Sequence, residues 1–145
     1  MPKIQYLVLR IHDIETAKRF YGIIGLVFRG EKHGKEEFHY STVIDGMVLE
    51  FYPLRPGQSP SLVQFGFEFQ GEVGDIMTVC ERLGREGFCV LNPPRLTSQG
   101  YTAKVVDPFG NKIELIQKDG VLFSDLGDCL WNTCITDPSW KKFIK

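Results

Sequence analysis

The chain has 145 residues, the length of one domain, with none left over for a second independent core. Its 43% hydrophobic, 12% aromatic and 24% charged content excludes the apolar-poor, charge-rich profile of a disordered segment. Seventeen basic against eighteen acidic residues leave a net charge of -1, so there is no positive surplus for phosphate backbones and nucleic acid is not an expected partner.

No apolar run is long enough to span a bilayer. The opening Met1-Pro2-Lys3-Ile4-Gln5-Tyr6 also lacks the basic, apolar and small-residue pattern of a secretory signal. A cytoplasmic protein without a membrane partner is expected. Cys80, Cys89, Cys129 and Cys134 form no C-x-x-C pair and read as free thiols.

Ile4 to Ile11 is β-branched and apolar, a strand signal. Asp13 then offers a helix N-cap, and Ile14, Ala17, Tyr21 and Ile24 recur at helical spacing up to a stop near Gly22 to Gly25. Three strand-like stretches follow, Leu26 to Gly30, Glu36 to Ile44 and Met47 to Pro53, the last two joined by the hairpin dipeptide Asp45-Gly46. Pro53, Pro56, Gly57 and Pro60 mark a linker up to Ser61. The pattern then begins again. Leu62 to Phe69 is a strand with Phe65, Phe67 and Phe69 on one face, and Asp75 precedes the helical stripe Ile76, Val79, Cys80 and Leu83. Phe88 to Leu91 predicts a short strand, Asn92 to Gly100 a proline-containing loop, and Tyr101 to Val106 and Lys112 to Gln117 two more strands around the turn Asp107 to Asn111.

Each half thus spells β-α-β-β-β. Tyr6 to Ile11 matches Gln64 to Phe69 at an offset of 58, Gly25 matches Gly87 at 62, and Glu50 matches Glu114 at 64. Two copies of one supersecondary unit are expected to pack about a pseudo-two-fold axis and form a cleft. We read an α+β domain over residues 1–118, with module one at about 4–53 and module two at about 62–118. Residues 119–145 carry Phe123, Trp131, Trp140 and Phe143, too apolar for a solvated tail. They read as an extension packed on the domain or on a partner subunit.

The stretch Val8-Leu9-Arg10-Ile11-His12-Asp13-Ile14-Glu15-Thr16-Ala17-Lys18-Arg19-Phe20-Tyr21, with Ile24-Gly25-Leu26 after it, resembles the opening of the vicinal oxygen chelate superfamily. That superfamily includes glyoxalase I, bleomycin resistance proteins and extradiol dioxygenases. Val106-Asp107-Pro108-Phe109-Gly110-Asn111-Lys112-Ile113-Glu114-Leu115 resembles its closing signature. The resemblance covers roughly residues 4 to 118 and implies the paired-module fold, a cleft for a small organic molecule and, as in many relatives, a homodimer. It says less about activity, because one scaffold hosts unrelated functions.

By motif position the superfamily's four metal ligands fall on Tyr6, Glu50, Gln64 and Glu114. Strand alternation supports two of them independently, setting Glu50 apart from Leu49 and Phe51, and Glu114 apart from Ile113 and Leu115. A carboxylate in an otherwise apolar strand needs a cation, a proton or a donor, which makes both glutamates candidates for catalysis. Tyr6 and Gln64 stand where the resemblance implies histidines, so the four offer oxygen donors alone, suited to magnesium or manganese more than to nickel or zinc. Among the histidines, His12 reads as a junction residue and His33 as part of a solvated charged hairpin. His39 lies on a strand opposite in sense to Phe38 and Tyr40 and is the best replacement ligand or general base. Arg10, Tyr52 and Tyr101 complete the expected ligand-binding set, with Arg10 placed to neutralise Glu50 or Glu114 or to clamp an anion.

Two functions follow. One is a protein that binds a small organic molecule without the usual histidine ligands. The other is a metal-dependent lyase, isomerase or dioxygenase of the glyoxalase I type, using Glu50 and Glu114 with one divalent ion.

Overall fold

A computed structural model of the chain describes residues 1–69 and 75–118. The aromatic extension beyond residue 118, with Cys129 and Cys134, lies outside the described residues. The chain divides into two compact units, Met1–Leu62 and Val63–Lys145.

The first unit runs β1 (Tyr6–Ile11), α1 (Ile14–Ile24), β2 (Arg29–Glu31), β3 (His39–Ile44) and β4 (Met47–Pro53), its strands ordered β1-β4-β3-β2 in one sheet. The second runs β5 (Phe65–Glu68), α2 (Ile76–Arg85), β6 (Cys89–Thr97), β7 (Gly100–Val106) and β8 (Lys112–Gln117), ordered β5-β8-β7-β6. The duplication seen in sequence is therefore a duplication of topology. In both units the first and last strands pair in parallel and the others are antiparallel. Val8 stands beside Glu50 in one, and Gly66 beside Glu114 in the other.

Asp13 starts α1 by accepting from the amides of Glu15 and Thr16 at 3.1 Å, and Gly25 ends it with φ 116°. That left-handed conformation costs glycine little. The helix buries Ala17, Phe20, Tyr21, Ile23 and Ile24. Tyr21 stacks on Phe51 at 5.1 Å, and Leu9, Ile11 and Leu49 complete the layer, all at most 1% exposed. Each such side chain contributes about 1.5–3 kcal/mol of burial. In the second unit α2 buries Ile76, Val79, Cys80 and Leu83 in the same unit as the buried β7–β8 residues Val105, Ile113 and Leu115. Burial pushes the Cys80 thiol well above its ordinary range. Cys80 and Cys89 are both free thiols, as expected.

Several strands are shorter than the sequence suggests. Leu26 to Phe28 do not join β2, and β3 begins at His39 rather than Glu36, because Glu36 closes a turn onto the His33 carbonyl. The expected loop Asn92 to Gly100 is mostly strand. β6 continues through Pro93 and Pro94 to Thr97, with register shifts between Val90 and Arg95. A proline is tolerated there because β6 is the outer strand of its sheet and the irregular register absorbs the missing donors.

The β7–β8 turn is held by Asp107, which is 3% exposed. Its carboxylate accepts from the amides of Phe109 and Asn111 and from the Asn111 side chain at 2.9, 2.8 and 2.7 Å. Asn111 in turn accepts from the Val63 amide at 2.7 Å. Asp107→Ala strands these buried donors, each worth about 1–3 kcal/mol. A loss of about 2–4 kcal/mol in urea-unfolding free energy is expected, and a loss under about 0.5 kcal/mol would contradict the role given to this turn.

Candidate functional site

One face of the first sheet is covered by α1, and the other collects polar side chains. Alternation along β4 sends Val48, Glu50 and Tyr52 to the polar face. Register then recruits neighbours, with Val8 and Arg10 on β1 beside Glu50 and Tyr52, and Ser41 on β3 opposite Glu50. His39 lies two residues before Ser41 on that face. Glu31 on β2 stands directly opposite His39, within the distance at which cross-strand side chains interact.

His39 is the centre of this group and is fully buried. Its Nδ1 lies 3.1 Å from the Glu37 carbonyl oxygen, which can only accept, so Nδ1 carries the proton. In the neutral ring Nε2 is then the acceptor, and the Tyr52 hydroxyl lies 3.3 Å from it. The two rings stack at 4.1 Å with 10° between their planes, and the Arg10 guanidinium covers the other face of Tyr52 at 4.7 Å. Partial burial, followed by the charges of Glu50 and Glu36, holds the Tyr52 phenol above its usual range. It is therefore a protonated donor at neutral pH.

Two carboxylates and a second imidazole complete the group. His39 Nε2 is 3.6 Å from Glu31 Oε2 and 3.8 Å from Glu50 Oε1, and His33 Nε2 is 3.3 Å from the same Glu31 oxygen. Potential ligand atoms of Glu31, His33 and His39 all lie within 4.8 Å of one another, so these residues could hold a metal ion. The Ser41 hydroxyl and then His33 hold the Glu31 carboxyl below its ordinary range.

Beside this group, Arg10 and Arg55 converge on the Glu37 carboxylate. Arg10 Nη1 donates to Glu37 Oε2 and, at 3.2 Å, to the Pro53 carbonyl, while Arg55 Nε donates to Glu37 Oε1 at 2.9 Å. A cavity of about 280 Å³ opens here, lined by Val8, Arg10, Lys35, Glu36, Glu37, Tyr52 and Arg55. The sequence places Arg10 against Glu50 or Glu114, but its partner is Glu37.

The remaining expected residues are placed as follows. Tyr6 shares the polar face of β1 and is 65% exposed. In the second unit Glu114 pairs across the sheet with Gly66 on one side and Lys104 on the other, and Gln64 precedes β5 and is exposed. Tyr101 is paired with Gln117, whose side chain accepts from the Ile76 amide of α2. Alternation therefore puts Tyr101 on the helix side, away from Glu114. The set Tyr6, Glu50, Gln64 and Glu114 contains no imidazole, and the three histidines lie elsewhere, His12 between β1 and α1 and His33 and His39 at the β2–β3 hairpin. That set does not fit a zinc- or nickel-type ion. Glu31, His33, Glu37 and Arg55 were missed. Glu31 and His33 sit in a charged stretch that reads as solvated, and only the β2–β3 register reveals Glu31 opposite His39.

Comparison with known proteins agrees with the fold. The profile of the Glyoxalase/Bleomycin resistance protein/Dioxygenase superfamily matches residues 3–115, and the chain belongs to that superfamily. No curated protein matches the chain. Among solved structures, a possible glyoxalase from Bacillus cereus is 25% identical, with 80% of this chain and 99% of that one covered and a TM-score of 0.59. TnmS3, an antibiotic binding protein from a Streptomyces species, is 24% identical, with 82% and 98% covered and a TM-score of 0.62. The oxidase ChaP-H2 is 17% identical, with 83% and 97% covered and a TM-score of 0.64.

The double pairing of Glu37 has a consequence for acid stability. Arg55 and then Arg10 hold its carboxyl below the ordinary range, so the pairing stabilises the fold above an ordinary carboxylate pKa of about 4.3. The contribution is lost as pH falls through the lower folded value. Wild type should exceed Glu37→Gln in urea midpoint at neutral pH, and the two midpoints should converge in strong acid. A gap that persists unchanged at low pH would contradict this assignment.

Proposed function

We propose that the chain binds a small organic molecule bearing a carboxylate, at the cavity between Arg10, Arg55 and Tyr52. The observation that carries this reading is the convergence of two arginines on one carboxylate oxygen pair, that of Glu37. Arginine binds planar oxyanions through paired, charge-assisted hydrogen bonds, and Glu37 occupies the position a ligand carboxylate would take. Val8, 36% exposed, and the rim of Tyr52 provide apolar surface for the rest of the molecule. The fold suits such a role, since TnmS3, which shares it, is an antibiotic binding protein.

A metal-dependent lyase, isomerase or dioxygenase acting through Glu50 and Glu114 is the second reading. It is favoured by the 3.8 Å approach of Glu50 to His39, which gives that carboxylate a partner for proton exchange. It requires turnover that Glu50→Gln and Glu114→Gln each abolish.

The binding reading is tested by calorimetric titration with simple aromatic carboxylates such as benzoate, salicylate and phthalate. At least one should bind wild type, bind Arg10→Gln at least about tenfold more weakly, and bind Glu37→Gln more tightly because the arginines are released from their internal partner. Failure of every carboxylate, or equal affinity in Arg10→Gln, would overturn it.

A further inference from the structure

We propose that Glu31, His33 and His39 form a binding site for a divalent transition-metal ion of the zinc, cobalt or nickel kind, with Glu50 or a water at the fourth position. This site is separate from the positions Tyr6, Gln64 and Glu114 and shares only Glu50 with that set. It does not rest on the carboxylate-binding reading.

Three observations carry it. The first is spacing. A tetrahedral ion with bonds of about 2.0–2.1 Å needs ligand atoms roughly 3.3–3.4 Å apart. Glu31 Oε2 lies 3.3 Å from His33 Nε2 and 3.6 Å from His39 Nε2, and Glu50 Oε1 lies 3.8 Å from His39 Nε2. These three separations need contract by at most a few tenths of an ångström, and the exposed His33 side chain supplies the remaining movement, its ligand atom lying within 4.8 Å of that of His39.

The second is preorganisation. A histidine that binds metal through one ring nitrogen commonly donates its other N–H to a carbonyl or carboxylate, which fixes the tautomer and the ring plane. His39 is 1% exposed in its side chain, donates from Nδ1 to the Glu37 carbonyl, and is clamped flat against Tyr52. Its Nε2 lies 3.6 and 3.8 Å from two carboxylate oxygens and receives only the long 3.3 Å contact from the Tyr52 hydroxyl. An ion takes the Nε2 lone pair in place of the hydroxyl proton. Glu31 is oriented in the same way, by the Ser41 hydroxyl.

The third is access and charge. The His33 side chain is 70% exposed and Glu31 24%, so the buried nitrogen of His39 is reached from solvent past a movable ligand. With Glu50 as the fourth ligand, two carboxylates and two neutral imidazoles neutralise the charge of a dication. Imidazole nitrogens favour zinc, cobalt, nickel and copper over magnesium and calcium.

The test uses the full chain, stripped with chelator, and metal alone. Titration with cobalt(II), followed by visible absorption and by metal content after dialysis, should give one equivalent per chain and the intense bands of a four- or five-coordinate ion. His33→Gln and Glu31→Gln, both at solvent-accessible side chains and so compatible with folding, should each weaken cobalt and zinc binding by more than about 100-fold, beyond the 10- to 100-fold typical of outer-shell losses. Glu114→Gln and Gln64→Ala should leave affinity and spectrum unchanged. Folding of every variant is checked by its far-ultraviolet circular dichroism. The proposal is overturned if folded wild type takes up no cobalt, if His33→Gln and Glu31→Gln bind as wild type does, or if binding is lost in Glu114→Gln. The last result would place the ion at the superfamily's own positions.

Discussion

In each unit the first and last strands lie parallel and adjacent, and this pairing decides which side every other chemical group faces. Because side chains alternate with a period of two, a slip of one residue between β1 and β4 would exchange the two faces. With β4 held in place, Val8 would then turn towards Phe20 and Tyr21, and Leu9 and Ile11 away from them. The register is held from the apolar side, where α1 covers Leu9, Ile11, Leu49 and Phe51. Helix burial on one face thereby positions Glu50, Tyr52, His39 and Glu31 on the other. The second unit repeats the device with α2, and Glu114 takes the place of Glu50.

The polar face is stabilised by mutual satisfaction of groups that would otherwise be costly to bury. His39 has no contact with solvent, yet Nδ1 has the Glu37 carbonyl and Nε2 the Tyr52 hydroxyl. Tyr52 is sandwiched between that imidazole and the Arg10 guanidinium. Arg10 shares Glu37 with Arg55. Glu37 thus contributes twice, its main chain setting the tautomer of His39 and its side chain neutralising two cations. The segment between β2 and β3, short of regular structure, is tied to the sheet through this residue, through His33 on Glu31 and through the Phe38 ring on Tyr40.

Most of the fold could be read from the sequence. Asp13 and Asp75 mark the helix starts, and both cap as their side chains imply. Asp45 and Gly46 take φ values of 47° and 82°, the turn that their dipeptide favours. The start of β6 was legible in Phe88 to Leu91, but its continuation to Thr97 was hidden because two prolines argue against a strand unless its edge position is already known. The site was only partly legible. Glu50 and His39 follow from alternation within their own strands, which is local information. Glu31 and His33 do not, since their role depends on β2 pairing opposite His39, a cross-strand register that a stretch dominated by charge does not display. Arg10 was recognisable as an inward cation, but its partner lies in a loop whose path composition does not encode. The face that Tyr101 takes is likewise not readable from β7 alone, because its phase is set by the pairing with Gln117.

The central claim is that the sheet holds His39 as an oriented acceptor, with Nδ1 protonated and Nε2 turned to Glu31, Glu50 and Tyr52. Long-range ¹H–¹⁵N correlation of the histidine rings measures this directly, at about pH 8 where an ordinary imidazole is neutral. The account predicts a proton on Nδ1 of His39 and a bare, pyridine-like Nε2. A proton on Nε2, or a ring exchanging freely between tautomers, would contradict it.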